Sequence, residues 1–463
     1  MLLASRRAAA KKVARSIHLH IGDEVFSMAD VQPLRGIRYD SQRAGNLAEM
    51  ITPPYDVISE EDQARYYGRS PHNIIRLELG RDEAGDTGLN NRYTRAAAML
   101  AEWRLEDILR EDASLRYYCY QQVFIREGQV YTRSSLLARV RLEPWDARVV
   151  LPHEHTMAKP KSDRLHLMHA CATNFSPIMS LYEDPQGRMR RLLGVYGANA
   201  ETQVTDEAQE EHRLQPITDV EQIALIQNFF QERQLYIADG HHRYETALNY
   251  RDELRAMRKH LDNDDAANFV LMALIDIDDP GLLVLPTHRL ISRLGQDALS
   301  ALSSQQLGRF FTVREMALGD YPPEAPLHML AQADHAAPSF VICTAEQSWL
   351  VSLNEQGKAR MEQSGHSAAW NNLDVAVAHT LVLEELLRLT PADLTAGTHV
   401  SFTRDARQAL QAVRQGEEQV ALLLNPTRVR QICDVAEAND RMPQKSTYFY
   451  PKLITGLVIN PLW

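Results

Sequence analysis

The stretch YIADGHHRYETAL, Tyr236 to Leu248, decides how the chain is read. The run RQLYIAD is apolar enough for a buried strand and stops at Asp239. Gly240 supplies a tight turn. The helix after it places Tyr244, Ala247, Leu248 and Leu254 on one face. Asp239, Gly240, His241, His242 and Arg243 therefore stand at a helix N-terminus. Free backbone N–H groups and the helix dipole attract anions there. Arg243 adds a planar guanidinium suited to phosphate oxygens, and the histidines add donors. This is the composition of a phosphate cradle built from Gly240, His241, His242 and Arg243. Two other readings stay open. One is a metal site, although adjacent histidines diverge on a helix, unlike the HExxH spacing. The other is a capped helix with solvated polar residues.

A second cluster lies upstream. LPHEHTMAKPKSDRL gathers His153, Glu154, His155, Thr156, Lys159, Lys161, Asp163 and Arg164 just after the apolar residues Val149 to Leu151. A carboxylate in a polar loop beside basic groups suits a general base or a magnesium ligand. A solvated loop with surface ion pairs is the plainer alternative. Further candidates are Asp56 on the Pro-held turn PPYDVI, Thr287, His288 and Arg289 in PTHR, and Lys445, Ser446, Thr447 and Lys452 in PQKSTYFYPK. Each is compatible with an anionic ligand or with ordinary loop chemistry. The chain has no GxxxxGK[ST] loop, GxGxxG fingerprint or GxSxG elbow, which argues against a P-loop kinase, a Rossmann enzyme and a serine hydrolase.

The totals narrow the class. The 463 residues are 44% hydrophobic and 24% charged, with a net charge of −11. That is an ordinary soluble composition, and the acidic balance argues against duplex DNA as a partner. The four cysteines, Cys119, Cys171, Cys343 and Cys433, are far apart. They fit reduced thiols of a cytoplasmic protein. No apolar stretch approaches the ~20 residues that span a bilayer. Residues 1–27 read as a basic, poorly held extension, with Met28 a plausible start.

Strand-like and helix-like segments alternate, so the expected class is α/β, or mixed α+β. The expected regions are 28–144, 145–290 and 291–463. VQPLRGIRYD reads as a strand. Ser59 caps a helix beginning EEDQARYY, and NRYTRAAAMLAEWRLEDILR is a long helix. RYYCYQQVFIREGQVYTRSSLLARVRL is a hairpin turning at Glu127-Gly128. Thr218 is expected to cap TDVEQIALIQNFFQ. LLVLPTHRLI reads as a strand and NNLDVAVAHTLVLEELLRL as an amphipathic helix. MPQKSTYFYPKLITGLVIN is too apolar for a free tail and should dock onto the body.

Taken in order, ITPPYDVIS, LPHEHT, KSDRL, NFSPIMSLYED, YIADGHHRYETAL, LPTHR, LDVAVAH and MPQKSTYFYPKLITGLV resemble the family called domain of unknown function 1015, often labelled ParB-like. The middle region is also similar to the ParB/sulfiredoxin superfamily, including free-serine kinases. That resemblance implies CTP, ATP or ADP, with Mg2+, held at Gly240 to Arg243. It implies a phosphoryl transfer to a small-molecule hydroxyl, free serine being one acceptor, with Glu154 as the catalytic carboxylate. His153 and Asp239 complete the catalytic set, and Asp239 or Asp163 would hold the metal. Thr287, His288 and Arg289 would grip the acceptor, with Lys445, Ser446 and Thr447 also near substrate. The alternatives are a ParB-like regulatory module without turnover and a metal-dependent hydrolase using His153, Glu154, His155 and the Asp239–His242 cluster.

Overall fold

The run Phe269–Asp276, FVLMALID, is buried at every position. A strand with no wet face needs neighbours on both edges and cover on both sides. In the computed structural model it lies inside a nine-stranded sheet. The structure describes residues 28–258, 261–317, 325–333 and 337–463, with the pairs 19–20 and 25–26. Apart from those pairs, the expected basic extension at 1–27 lies outside the described residues.

In chain order the sheet is built from β1 (Val31–Gln32), β2 (Tyr117–Arg126), β3 (Gln129–Arg141), β4 (Val150–Leu151), β5 (Ile178–Tyr182), β6 (Thr202–Thr205), β7 (Glu211–Ile217), β8 (Leu235–Asp239) and β9 (Phe269–Asp276). Their order in space is β6-β7-β2-β3-β9-β5-β8-β4, with β1 also on β3. Two pairs are parallel, β5 with β9 and β8 with β4. β5 and β8 run antiparallel, as do the other pairs. The class is mixed α+β. The β2–β3 hairpin turns at Glu127 and Gly128, with φ of 53° and 79°. Two successive positive φ values are what a two-residue type I′ turn requires.

Helices α1 (Ala158–Cys171) and α2 (His241–Arg258) pack on each other beside this sheet. The face Tyr244, Ala247, Leu248 and Leu254 of α2 is buried, as its spacing implied. Ser59 caps the helix Glu60–Arg69 through a reciprocal pair with Asp62. Some boundaries differ from the sequence reading. VQPLRGIRYD breaks into Val31–Gln32 and Ile37–Tyr39, because Pro33 has no N–H for a ladder. Asp219, not Thr218, caps Val220–Phe230, since its carboxylate accepts the Gln222 N–H at 2.9 Å. LLVLPTHRLI divides into Leu283–Val284 and β10 (His288–Ile291) at its proline. The helix at Asp374 widens from Ala378 to Leu386 into π-helical winding.

β10 joins β11 (Phe311–Ala317), β12 (Ser339–Cys343), β13 (Gln347–Leu353), β14 (Val400–Thr403) and β15 (Val420–Leu424) in a second, antiparallel sheet ordered β11-β13-β12-β15-β10-β14. One apolar cluster joins the two sheets, with Tyr120, Leu181 and Tyr236 from the first and Phe340, Ile342 and Trp349 from the second.

The C-terminal segment docks onto the body, as its composition implied. Phe449–Tyr450 pairs with Leu283–Val284. Thr455 exchanges backbone bonds with Thr52, and Ile459 with Ile37. The buried Arg133 donates to Gln122 Oε1 and, at 2.7 Å, to the Pro451 carbonyl. Gln122 in turn donates to the Lys452 carbonyl at 2.9 Å. Two side chains of the β2–β3 hairpin thus hold the backbone at 451–452. Gln122→Leu leaves a buried guanidinium and a buried carbonyl each short of a partner. Urea unfolding is expected to show a loss of about 2 kcal/mol; an unchanged midpoint would mean that this clamp carries no stability.

Candidate functional site

The site begins where β8 ends. Gly240 follows Asp239 with φ of 100°, a conformation that excludes most side chains. A Cβ there would also press on the Arg243 guanidinium, at 3.0 Å from Nε and Nη2. The first helical bond of α2 runs from the Tyr244 N–H to the Gly240 carbonyl at 3.1 Å. The N–H groups of His241, His242 and Arg243 thus open the helix, ahead of the point where its ladder supplies acceptors. Arg243 folds back over this turn. It donates to Asp239 Oδ2 at 2.8 Å and to the Pro177 carbonyl. A guanidinium has five N–H donors, so three remain for a ligand.

Asp239 is gripped from two sides. Its Oδ1 accepts from Lys452 Nζ of the C-terminal segment, and its Oδ2 faces Arg243. Burial alone would raise this carboxyl, but Lys452 and Arg243 hold it well below the usual carboxylate range. Lys452 shows the reciprocal effect: burial would lower its ammonium, while Asp239 and the exposed Asp56 hold it above the usual value.

The two adjacent histidines do not act as a pair. His241 Nε2 accepts the His153 N–H at 3.2 Å, and His242 Nε2 accepts the Met157 N–H at 2.9 Å. They clasp the 153–157 loop over the start of α2. This differs from the expectation that both rings point donors at phosphate: each Nε2 faces an N–H and so carries no proton. His153 itself is 1% exposed. Its Nδ1 donates to the Ile237 carbonyl at 2.8 Å, leaving Nε2 to accept from Thr447 Oγ1 at 3.3 Å. The His153 and His241 rings meet edge to face at 4.6 Å.

Glu154 stands at the rim of this group. Its Oε2 lies 3.9 Å from His241 Nδ1, and its side chain keeps about a third of its exposure. Burial pushes its carboxyl up; Lys445 opposes the rise and Asp239 adds to it. Lys445 is exposed and close enough to act electrostatically on both Glu154 and His242. The Asp239–Arg243–Lys452 pairing at the helix opening, Glu154, Lys445 and Asp56 therefore lie within electrostatic reach of one another.

Other expected residues are engaged elsewhere. Asp163 accepts from Arg92, from Tyr93 Oη at 2.8 Å and from Arg164. Asp239 and Asp163 are thus both matched to cations, and the magnesium that the resemblance implied does not fit either carboxylate as it stands. Lys161 is paired with Glu245 at 2.7 Å. The side chain of Lys159 lies outside the described residues, and His155 is exposed. In PTHR, His288 and Arg289 are engaged with backbone groups of the scaffold. Arg289 is buried and donates to the carbonyls of Thr287, Gln444 and Lys445. His288 Nδ1 accepts the Leu424 N–H at 3.1 Å. Ser446 Oγ donates to the Pro443 carbonyl. These contacts hold the 443–447 loop against the site, and of that loop Lys445 and Thr447 reach it. Among the described residues, three metal-ligand atoms converge at Asp206, Glu210 and His212, and not at the histidines of the opening motif.

Sequence reading did not find Glu78. It is buried with its carboxyl raised by burial, although Arg164, 3.5 Å away, and Ser176 Oγ at 2.9 Å oppose the rise. IRLE in a short helix carries no signal that its glutamate is buried against Arg164. It also did not single out Lys452 above its neighbours, because nothing local ties position 452 to position 239.

Residues 31–376 match the family described as protein of unknown function (DUF1015), and the chain belongs to that family. The matched stretch ends before the terminal motif at 442–458. No curated protein matches the sequence. Three solved structures are similar over most of their length. A conserved hypothetical protein from Pyrococcus furiosus is 11% identical with a TM-score of 0.34, over 71% of this chain and 97% of that one. A free serine kinase in complex with AMP is 10% identical with a TM-score of 0.34, over 70% and 91%. SbnI with C-terminal truncation from Staphylococcus aureus is 13% identical with a TM-score of 0.34, over 70% and 87%. Among the described residues no helix is long and apolar enough to cross a membrane.

Burial pushes the His153 imidazole down to about 4 and that of His241 well below its usual value. Both rings are neutral when folded and protonate near pH 6.5 once unfolded. The unfolded chain then binds more protons, so their stability is complete above about pH 6.5 and falls toward pH 4. The His153 share is roughly 3 kcal/mol. His153→Gln keeps a donor and an acceptor but does not titrate. Urea unfolding at about pH 7 and about pH 4.5 should show about 2 kcal/mol less pH dependence in the variant; an equal slope would mean that His153 protonates freely in the folded chain.

Proposed function

We propose that the chain is a nucleotide-dependent phosphotransferase acting on a small-molecule hydroxyl, with free serine the first acceptor to test. The observation that carries this reading is the gathering of a glycine-opened helix N-terminus, Arg243, Lys452 and Lys445 within electrostatic reach of a carboxyl, Glu154, raised by burial. The N–H groups at 241–243 and the spare donors of Arg243 receive phosphate oxygens. Lys452 and Lys445 offset the charge, which is most of what phosphoryl transfer asks of a protein. Glu154 accepts the acceptor's hydroxyl proton. The freed oxygen bonds to the terminal phosphorus, and the bond from that phosphorus to the bridging oxygen breaks. The nucleotide then leaves one phosphate shorter. A carboxyl raised toward neutrality is a stronger base than an ordinary one.

In this reading His153, His241 and His242 are positioning residues that hold the Glu154 loop over the helix. Asp239 holds Arg243 and Lys452 in place. The donor nucleotide, ATP, ADP or CTP, is distinguished by which one stabilises the fold. A ligand at a hundred times its Kd adds about 2.7 kcal/mol. Thermal unfolding with each nucleotide should show a rise with one of them that Arg243→Ala removes. Glu154→Gln should keep the rise while phosphorylated acceptor falls by about a hundredfold or more. Nucleotide binding with no acceptor-dependent product would assign the site to regulation without turnover. No rise with any nucleotide would overturn the reading.

A further inference from the structure

The second cluster of interest lies at the far edge of the nine-stranded sheet. Asp206 and Glu210 flank the loop between β6 and β7, and His212 is the second residue of β7. One ligand atom from each, two carboxylate oxygens and an imidazole nitrogen, lie within 4.8 Å of one another. His212 is 1% exposed and Glu210 is 6% exposed. Acidic loop residues alone would be unremarked, but the histidine is a separate observation. Its Nε2 is buried and has no hydrogen-bond partner. It lies 3.2 Å from Asp206 Oδ2. Its Nδ1 meets the Tyr120 hydroxyl at 2.8 Å. With Nδ1 donating to that hydroxyl, Nε2 presents a lone pair, and Nδ1 is oriented by a neighbour, as metal-bound histidines usually are.

We propose that Asp206, Glu210 and His212 bind a divalent transition-metal cation of the zinc or manganese class. One nitrogen and two carboxylate oxygens suit such an ion, and the imidazole disfavours magnesium. Two ligands of one cation at about 2.1 Å each are at most about 4.2 Å apart, so three atoms within 4.8 Å of one another draw together slightly on binding. Asp206 also lines an open cavity of about 330 Å³ with Ala48, Glu49, Arg69, Thr205 and Glu207, which gives an ion a route in. Arg69 does not fill the place of the cation, because it is paired with Glu207. Asp206 Oδ1 accepts the Glu210 N–H at 2.9 Å, so the loop is shaped without using Oδ2. Glu210 also stands beside the Tyr450 hydroxyl, close enough for each to act on the other. The ion therefore ties the edge hairpin to the C-terminal segment that carries Lys452. This site is separate from the proposed nucleotide site and does not depend on it.

The test is metal binding by the full chain, with Zn2+, Mn2+ and Mg2+ as probes. Bound metal is counted after dialysis, and affinity is read by competition with a chromophoric chelator. The wild type should hold one equivalent of Zn2+ or Mn2+, with a raised unfolding temperature, and should not hold Mg2+ comparably. Glu210→Gln keeps the size and hydrogen bonding of the side chain and should fold. It and His212→Ala should lose the equivalent and the temperature rise, while Glu154→Gln retains both. Tyr120→Phe should weaken binding by about tenfold to a hundredfold. Absence of bound metal in the wild type, its retention in Glu210→Gln and His212→Ala, or its loss in Glu154→Gln would overturn the assignment.

Discussion

The ion pair between Asp239 and Lys452 joins residues 213 positions apart and fixes the architecture of the candidate site. Asp239 ends a buried strand and stands one residue before a helix. An uncompensated carboxylate there would be costly, and Arg243 supplies one cation from the helix itself. Lys452 supplies the other, and it reaches Asp239 only because the C-terminal segment is laid back across the first sheet. Arg133, Gln122, Leu283 and Val284 hold that segment by its backbone. The geometry of the site therefore depends on chain far outside the motif that draws attention to it.

The same logic explains the paired histidines. Neighbouring side chains on a helix point about 100° apart, so they cannot easily serve one ion. The fold uses that divergence. Each imidazole takes a backbone N–H from a different part of the 153–157 loop, and the loop is held down at two points. Glu154 lies between those points and is thereby placed over the helix opening.

The second sheet has a supporting part. Arg289 is buried among carbonyls of residues 287, 444 and 445, where burial pushes its guanidinium down to about 9. It spends its donors on shaping the loop that carries Lys445 and Thr447. Without that arginine the carbonyls of residues 287, 444 and 445 would each lose a hydrogen-bond donor. What looked like a ligand-binding PTHR motif is a brace for a neighbouring loop.

Local patterns were legible in the amino-acid sequence by themselves. The apolar run into Asp239, the glycine turn, the buried face of α2, the Glu127-Gly128 hairpin and the Ser59 cap all follow from spacing and turn chemistry within a few residues. So did the gathering of candidate groups at 153–154, 239–243 and 445–447. Which candidates meet was decided only by the tertiary structure. Asp163 pairs with Arg92, Glu78 pairs with Arg164, and Asp239 pairs with Lys452, across separations of 71, 86 and 213 residues. Charges of opposite sign are common along any chain, and periodicity gives no way to match them. Burial makes the match, because a charge taken out of water must find its partner wherever the fold brings one.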